Sequence, residues 1–224
     1  MKFNFLLLFG LLATTSFSQK NFDFGLFVKG NLSTQTTKDP TKPEDGVFQW
    51  DNLATFGAGF FASKELNRNM QLGTRLSYMQ KGFVENADYG SIGSNSIIGS
   101  TTFQNTFKYI SIDILAKIFL SKKNIRPFAF AGLQSSFLFS KKLESDIYPN
   151  NGFYPLSEYG NYKTNTNSWI VGLGLDLNKT MSLEVEVNKD FTPVINKDNL
   201  VVKNWLWSLT MQVSLYNILK NKPN

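Results

Sequence analysis

From Phe22 onward the chain alternates apolar and polar residues with a period of two, in eight separate segments, and that periodicity restricts it to strands. The fourth segment is the clearest. Ile110, Ile112, Ile114, Ala116, Ile118 and Leu120 stand against Ser111, Asp113 and Lys117. The others lie at about 22–32, 53–63, 70–83, 126–139, 168–177, 181–188 and 205–215. Phe128-Ala129-Phe130-Ala131 leaves the fifth without a clear polar face. Between segments the connections run to about 20, 6, 22, 5, 28, 3 and 11 residues, so long and short strictly alternate. A soluble sandwich has no reason to keep that order. A transmembrane barrel does, with short periplasmic turns at one rim and long extracellular loops at the other.

The expected fold is therefore an all-β, eight-stranded, antiparallel, up-and-down transmembrane barrel with both termini at the periplasmic rim; ten strands are possible if the third loop holds a hairpin. Closure removes the unpaired strand edges that lipid cannot satisfy. A soluble sandwich would have to bury Arg75, Asp113, Lys117, Asp176, Glu184 and Glu186 or expose rows of Ile and Leu, and both are costly. In a membrane barrel the apolar rows meet lipid and the opposite faces line the lumen. Lys29, Arg75, Lys81, Asp113, Lys117, Asp176, Glu184 and Glu186 then point inward. Eight strands leave just enough room for side chains, so these charges are expected to pair across the interior rather than line a water channel. Tyr78, Tyr109, Trp169, Trp205 and Trp207 fall near strand ends beside long loops, where an aromatic girdle belongs.

Before the first segment, Met1-Lys2 and the apolar run Phe3 to Leu12 lead to Ser16-Phe17-Ser18. Basic start, short apolar run and small-residue site, in that order, read as a secretory signal peptide over 1–18, cleaved before Gln19. The domain reading is a barrel over 19–216 and a polar C-terminal tail over 217–224. The chain has no histidine and no cysteine. Imidazole-dependent nucleophile systems and zinc sites of the usual kind cannot be built, so neither a catalytic centre nor a cofactor is expected. Glu184 and Glu186, two apart on one face, suggest a carboxylate pair, but neutralisation by Arg75 or Lys117 is the favoured arrangement.

Four stretches carry a family resemblance: Phe24-Gly25-Leu26-Phe27-Val28-Lys29-Gly30-Asn31-Leu32-Ser33, Leu76-Ser77-Tyr78-Met79-Gln80-Lys81-Gly82, Tyr109-Ile110-Ser111-Ile112-Asp113-Ile114-Leu115-Ala116-Lys117, and Arg126-Pro127-Phe128 leading to Ala131-Gly132. In order, they resemble the PorT-like outer-membrane β-barrel family of Gram-negative bacteria. That resemblance implies an integral outer-membrane protein, in a family whose namesake serves type IX secretion. The chain departs from the pattern at its end, where Tyr216 is followed by Asn217 to Asn224 rather than closing on an aromatic.

The expected partners follow from the surfaces. Tyr148, Phe153, Tyr154, Tyr159 and Tyr162 in the third loop suit recognition of sugars or proteins by rigid aromatics. Lys38, Lys42, Lys141, Lys142 and Lys163 place positive charge where lipopolysaccharide phosphates lie. Outer-membrane lipid, lipopolysaccharide and a protein partner at the loops or periplasmic turns are the candidates. Nucleic acid is not, because the lysines are scattered among acids and the chain is exported. The functional expectation is a non-catalytic barrel with a structural, adhesion or secretion-accessory role. A small-solute porin-like channel and a secreted soluble lipocalin-like binder are the alternatives.

Overall fold

A computed structural model describes residues 22–38, 47–49, 51–90, 97–121, 125–145, 162–197 and 200–220. Eight long strands form the wall: β1 (Phe22–Lys38), β3 (Leu53–Asn67), β4 (Met70–Gly90), β5 (Ile97–Phe119), β6 (Arg126–Ser145), β7 (Asn165–Asp176), β8 (Met181–Asp190) and β10 (Leu200–Ser214). Two three-residue strands, β2 (Val47–Gln49) and β9 (Ile195–Lys197), add to the upper ends of β1 and β10. Each wall strand pairs antiparallel with the next, and β1 pairs with β10 from Gly25↔Ser214 to Lys38↔Val201, which closes the barrel. A six-residue helix, α1 (Leu215–Lys220), follows the last strand.

The period-two pattern sorts side chains as expected. Val28, Ile114, Leu173 and Leu209 face outward at 53%, 62%, 65% and 60% exposure, while Lys29, Asp113 and Thr210 beside them are buried. A continuous apolar outer wall is stable only against lipid. None of the described helices is long and apolar enough to cross a membrane, and the crossing is made by strands.

The upper barrel departs from the expected boundaries. Sequence periodicity ends β4 near Phe83 and starts the next strand near Tyr109, yet β4 and β5 stay paired up to Tyr89↔Gly99. Above the apolar belt the outward face meets water while Phe83, Phe103 and Phe107 turn inward, so the apolar-out, polar-in alternation is lost while backbone pairing persists. The eighth strand ends at Ser214, and residues read as the start of a polar tail belong to α1.

Candidate functional site

The lumen is the place where this chain concentrates its chemistry. Alternation aims Arg75 of β4 inward, where its guanidinium donates to Asp113 (Nε to Oδ2, 2.8 Å), Glu184 (Nη1 to Oε2, 3.1 Å) and Glu186 (Nη2 to Oε2, 2.8 Å). Lys117 Nζ donates to Glu184 at 2.5 Å and Lys29 Nζ to Glu186 at 2.7 Å. The two glutamates are therefore each held by two cations. Gln134 donates its amide to Asp113 at 2.7 Å and accepts from Asn188 at 2.8 Å, extending the network across the barrel.

A second cluster sits above. Lys81 reaches Asp190 at 3.4 Å, and Asp190 also accepts from Ser168 at 2.5 Å and Asn204 at 2.7 Å. The buried charges are Lys29, Arg75, Lys81 and Lys117 against Asp113, Glu184, Glu186 and Asp190. Among the described residues four buried cations meet four buried anions, which balance. Such burial is tolerable only because every charge is paired and hydrogen-bonded.

Aromatic clusters lie on both sides of the ions. Below them, Phe128, Phe130 and Phe119 cluster with Leu115 and Ile170. The register pairs Phe128 with Gly174 and Phe130 with Gly172, and a side chain at either glycine would collide with the facing ring. Above, Phe83, Phe107 and Tyr109 pack together under Tyr162, whose ring centroid lies 4.8 Å from that of Phe107.

At the periplasmic mouth a cavity of about 890 Å³ is lined by Asp23, Lys117, Arg126, Asp176, Ser214 and Tyr216, among others. Arg126 bridges Asp176 at 2.8 Å and Glu65 at 3.6 Å. Among the described residues no group of three His, Cys, Asp or Glu is placed to hold a metal ion.

A family model described as outer membrane protein beta-barrel domain matches residues 9–196. The chain belongs to that family. As an outer membrane beta-barrel domain it is an outer-membrane protein, which sets aside the secreted lipocalin reading. No curated protein matches it. Among solved structures it is similar to Ail, the attachment invasion locus protein of Yersinia pestis, at 12% identity, covering 88% of this chain and 100% of that one with a TM-score of 0.41. It is also similar to the outer membrane protein OprG from Pseudomonas aeruginosa, at 13% identity, covering 85% and 96% with a TM-score of 0.43. A third is the outer membrane protease OmpT from Escherichia coli, at 11% identity, covering 88% and 98% with a TM-score of 0.46. At these values none of them bears on the activity of this chain.

Within this beta-barrel domain, seven of the eight expected lumen charges meet in the interior, and two corrections apply to the rest of that reading. Asp176 lies at the mouth with Arg126 rather than in the central network, because it ends β7 at the periplasmic rim. Its place among the paired ions is taken by Asp190, which the segment boundary at residue 188 had cut off. Tyr109 is not in the girdle: it is fully buried in the lumen with Lys81 Nζ 5.2 Å from its ring centroid. Parity explains this, since Ile110 and Ile112 face outward and put Tyr109 on the opposite side. Tyr78, Trp169, Trp205 and Trp207 do lie on the outward rows, with Trp207 51% exposed. Tyr148, Phe153, Tyr154 and Tyr159 lie outside the described residues, and Tyr162 packs against Phe107 in the upper aromatic cluster.

Proposed function

We propose that this protein is a non-conducting, non-catalytic outer-membrane barrel that acts through its rims, as an adhesion or structural element or as a secretion accessory of the PorT-like kind. One observation carries the reading. The ions that would line a pore pair with one another, and Arg75, Lys81, Asp113 and Glu184 are each no more than 2% exposed. A water-filled channel leaves such groups accessible, whereas eight strands filled by side chains do not. The rims carry what remains available: Lys141, Lys142 and Lys163 are exposed at the outer side, suited to lipopolysaccharide phosphates.

Planar-bilayer recording of the refolded protein tests the filled lumen. Silence is expected, and stepwise conductance would return the porin-like alternative. A photocrosslinker carried at position 141 or 163 in cells then reports the rim: lipopolysaccharide or a discrete protein adduct supports the surface role.

A further inference from the structure

The outward row of β10, Trp205, Trp207, Leu209, Met211 and Val213, continues by the same period into Leu215. There the strand becomes α1, and helical spacing carries the row on. At 3.6 residues per turn Leu215, Ile218 and Leu219 share one face, and Tyr216, Asn217 and Lys220 share the other. The second face is turned to the barrel: Tyr216, Asn217 and Lys220 line the periplasmic mouth. Asn217 fixes the helix there, donating its amide to the Lys179 carbonyl at 2.7 Å and to Ser214 Oγ at 2.9 Å, while the Tyr216 ring lies 6.3 Å from that of Phe24. The first face is left outside, with Ile218 44% and Leu219 59% exposed. Lys179 and Lys220 are exposed beside it, and neither α1 nor the Leu177–Thr180 turn contains an acidic residue.

We propose that α1 is an interfacial anchor: it lies in the headgroup region of the inner leaflet of the outer membrane, with Leu215, Ile218 and Leu219 in the acyl boundary and Lys179 and Lys220 on phospholipid phosphates. The occupant is lipid because the apolar face continues the lipid-facing row of β10, and because the charges on α1 and on the Leu177–Thr180 turn, Lys220 and Lys179, are cationic, the acids of the mouth standing on other strands. A free six-residue helix could not hold such a position. This one is tethered at the rim, where an apolar face and basic flanks partition together. The inference rests on the outer-membrane reading of the barrel.

The cysteine-free chain allows a clean test. Ile218→Cys, Leu219→Cys, Lys220→Cys and Leu173→Cys are each labelled with an environment-sensitive fluorophore and placed in nanodiscs of phosphatidylethanolamine and phosphatidylglycerol, with doxyl-labelled lipid or aqueous iodide as quencher. Labels at 218 and 219 are expected to shift to the blue and to be quenched several-fold more by doxyl lipid than the label at 220. Iodide quenching at 219 as strong as at 220 overturns the proposal in favour of a helix in water. Shielding from both quenchers overturns it in favour of a face packed on protein. The label at 173, in the middle of the belt, separates the two readings, because loss of doxyl quenching there condemns the barrel placement rather than the anchor.

Discussion

Arg75 holds three carboxylates at once, and its removal is the sharpest probe of the lumen. Arg75→Met leaves Asp113, Glu184 and Glu186 short of positive charge in a buried site, a defect of the kind that costs about 3–5 kcal/mol. Urea titration in lipid vesicles measures this against the parent. Adding Asp113→Asn leaves Lys29, Lys81 and Lys117 against Glu186, Asp190 and Glu184 and is expected to restore most of the loss; a single variant within ~1 kcal/mol of the parent would mean that these ions weigh no more than surface pairs. Gly174 is a second residue-scale test. It faces Phe128 across the β6/β7 pair, and Gly174→Val forces that ring aside at about 1–3 kcal/mol, read from the same titration. The inward charges were legible in the sequence because each falls on the polar parity of its strand. The glycines' purpose was not, since which ring a glycine makes room for depends on the register between two strands.

At the scale of elements, the seam between the first and last strands is held by the β1–β10 ladder and, below it, by Tyr216 on Phe24. Tyr216→Ala is expected to weaken that seam by about 0.5–1.5 kcal/mol beyond the area lost, seen as faster unfolding in vesicles with the same folded yield. The existence and order of the eight wall strands were legible, because the lipid-facing rows leave no other periodicity, whereas β2 and β9 lie in stretches read as connections. Strand ends were not. Glu85, Asn86 and Asp88 on β4 and Ser100, Thr101 and Thr102 on β5 read as loop, yet they pair. Outside the belt no side chain is selected for lipid, so only the backbone ladder marks the strand. The fifth segment shows the converse. Its apolar residues on both sides gave no face, and the structure turns Phe128 and Phe130 inward because glycines on β7 receive them.

For the molecule as a whole, the apolar exterior and the buried, paired charges make one prediction about location and processing. Membranes extracted with carbonate are expected to retain the protein, detergent to release it with heat-modifiable gel mobility, and mass spectrometry to find a chain beginning at Gln19. Recovery in the soluble periplasm without detergent contradicts the membrane placement, and an intact Met1 contradicts the signal peptide. By itself the sequence determined that this chain is a barrel facing lipid, since an eightfold alternation of apolar and polar residues with alternating loop lengths has one physical solution. It also determined the side to which seven of the eight expected charges turn, since parity decides side, while the strand ends that put Asp176 at the mouth and bring in Asp190 were not legible. Only the tertiary structure decided that, among the described residues, four buried cations meet four buried anions in six ion pairs, with Asp190 among them and aromatic clusters on both sides. Compensation between buried charges depends on which strands face each other across the barrel, and no one-dimensional pattern encodes that distance.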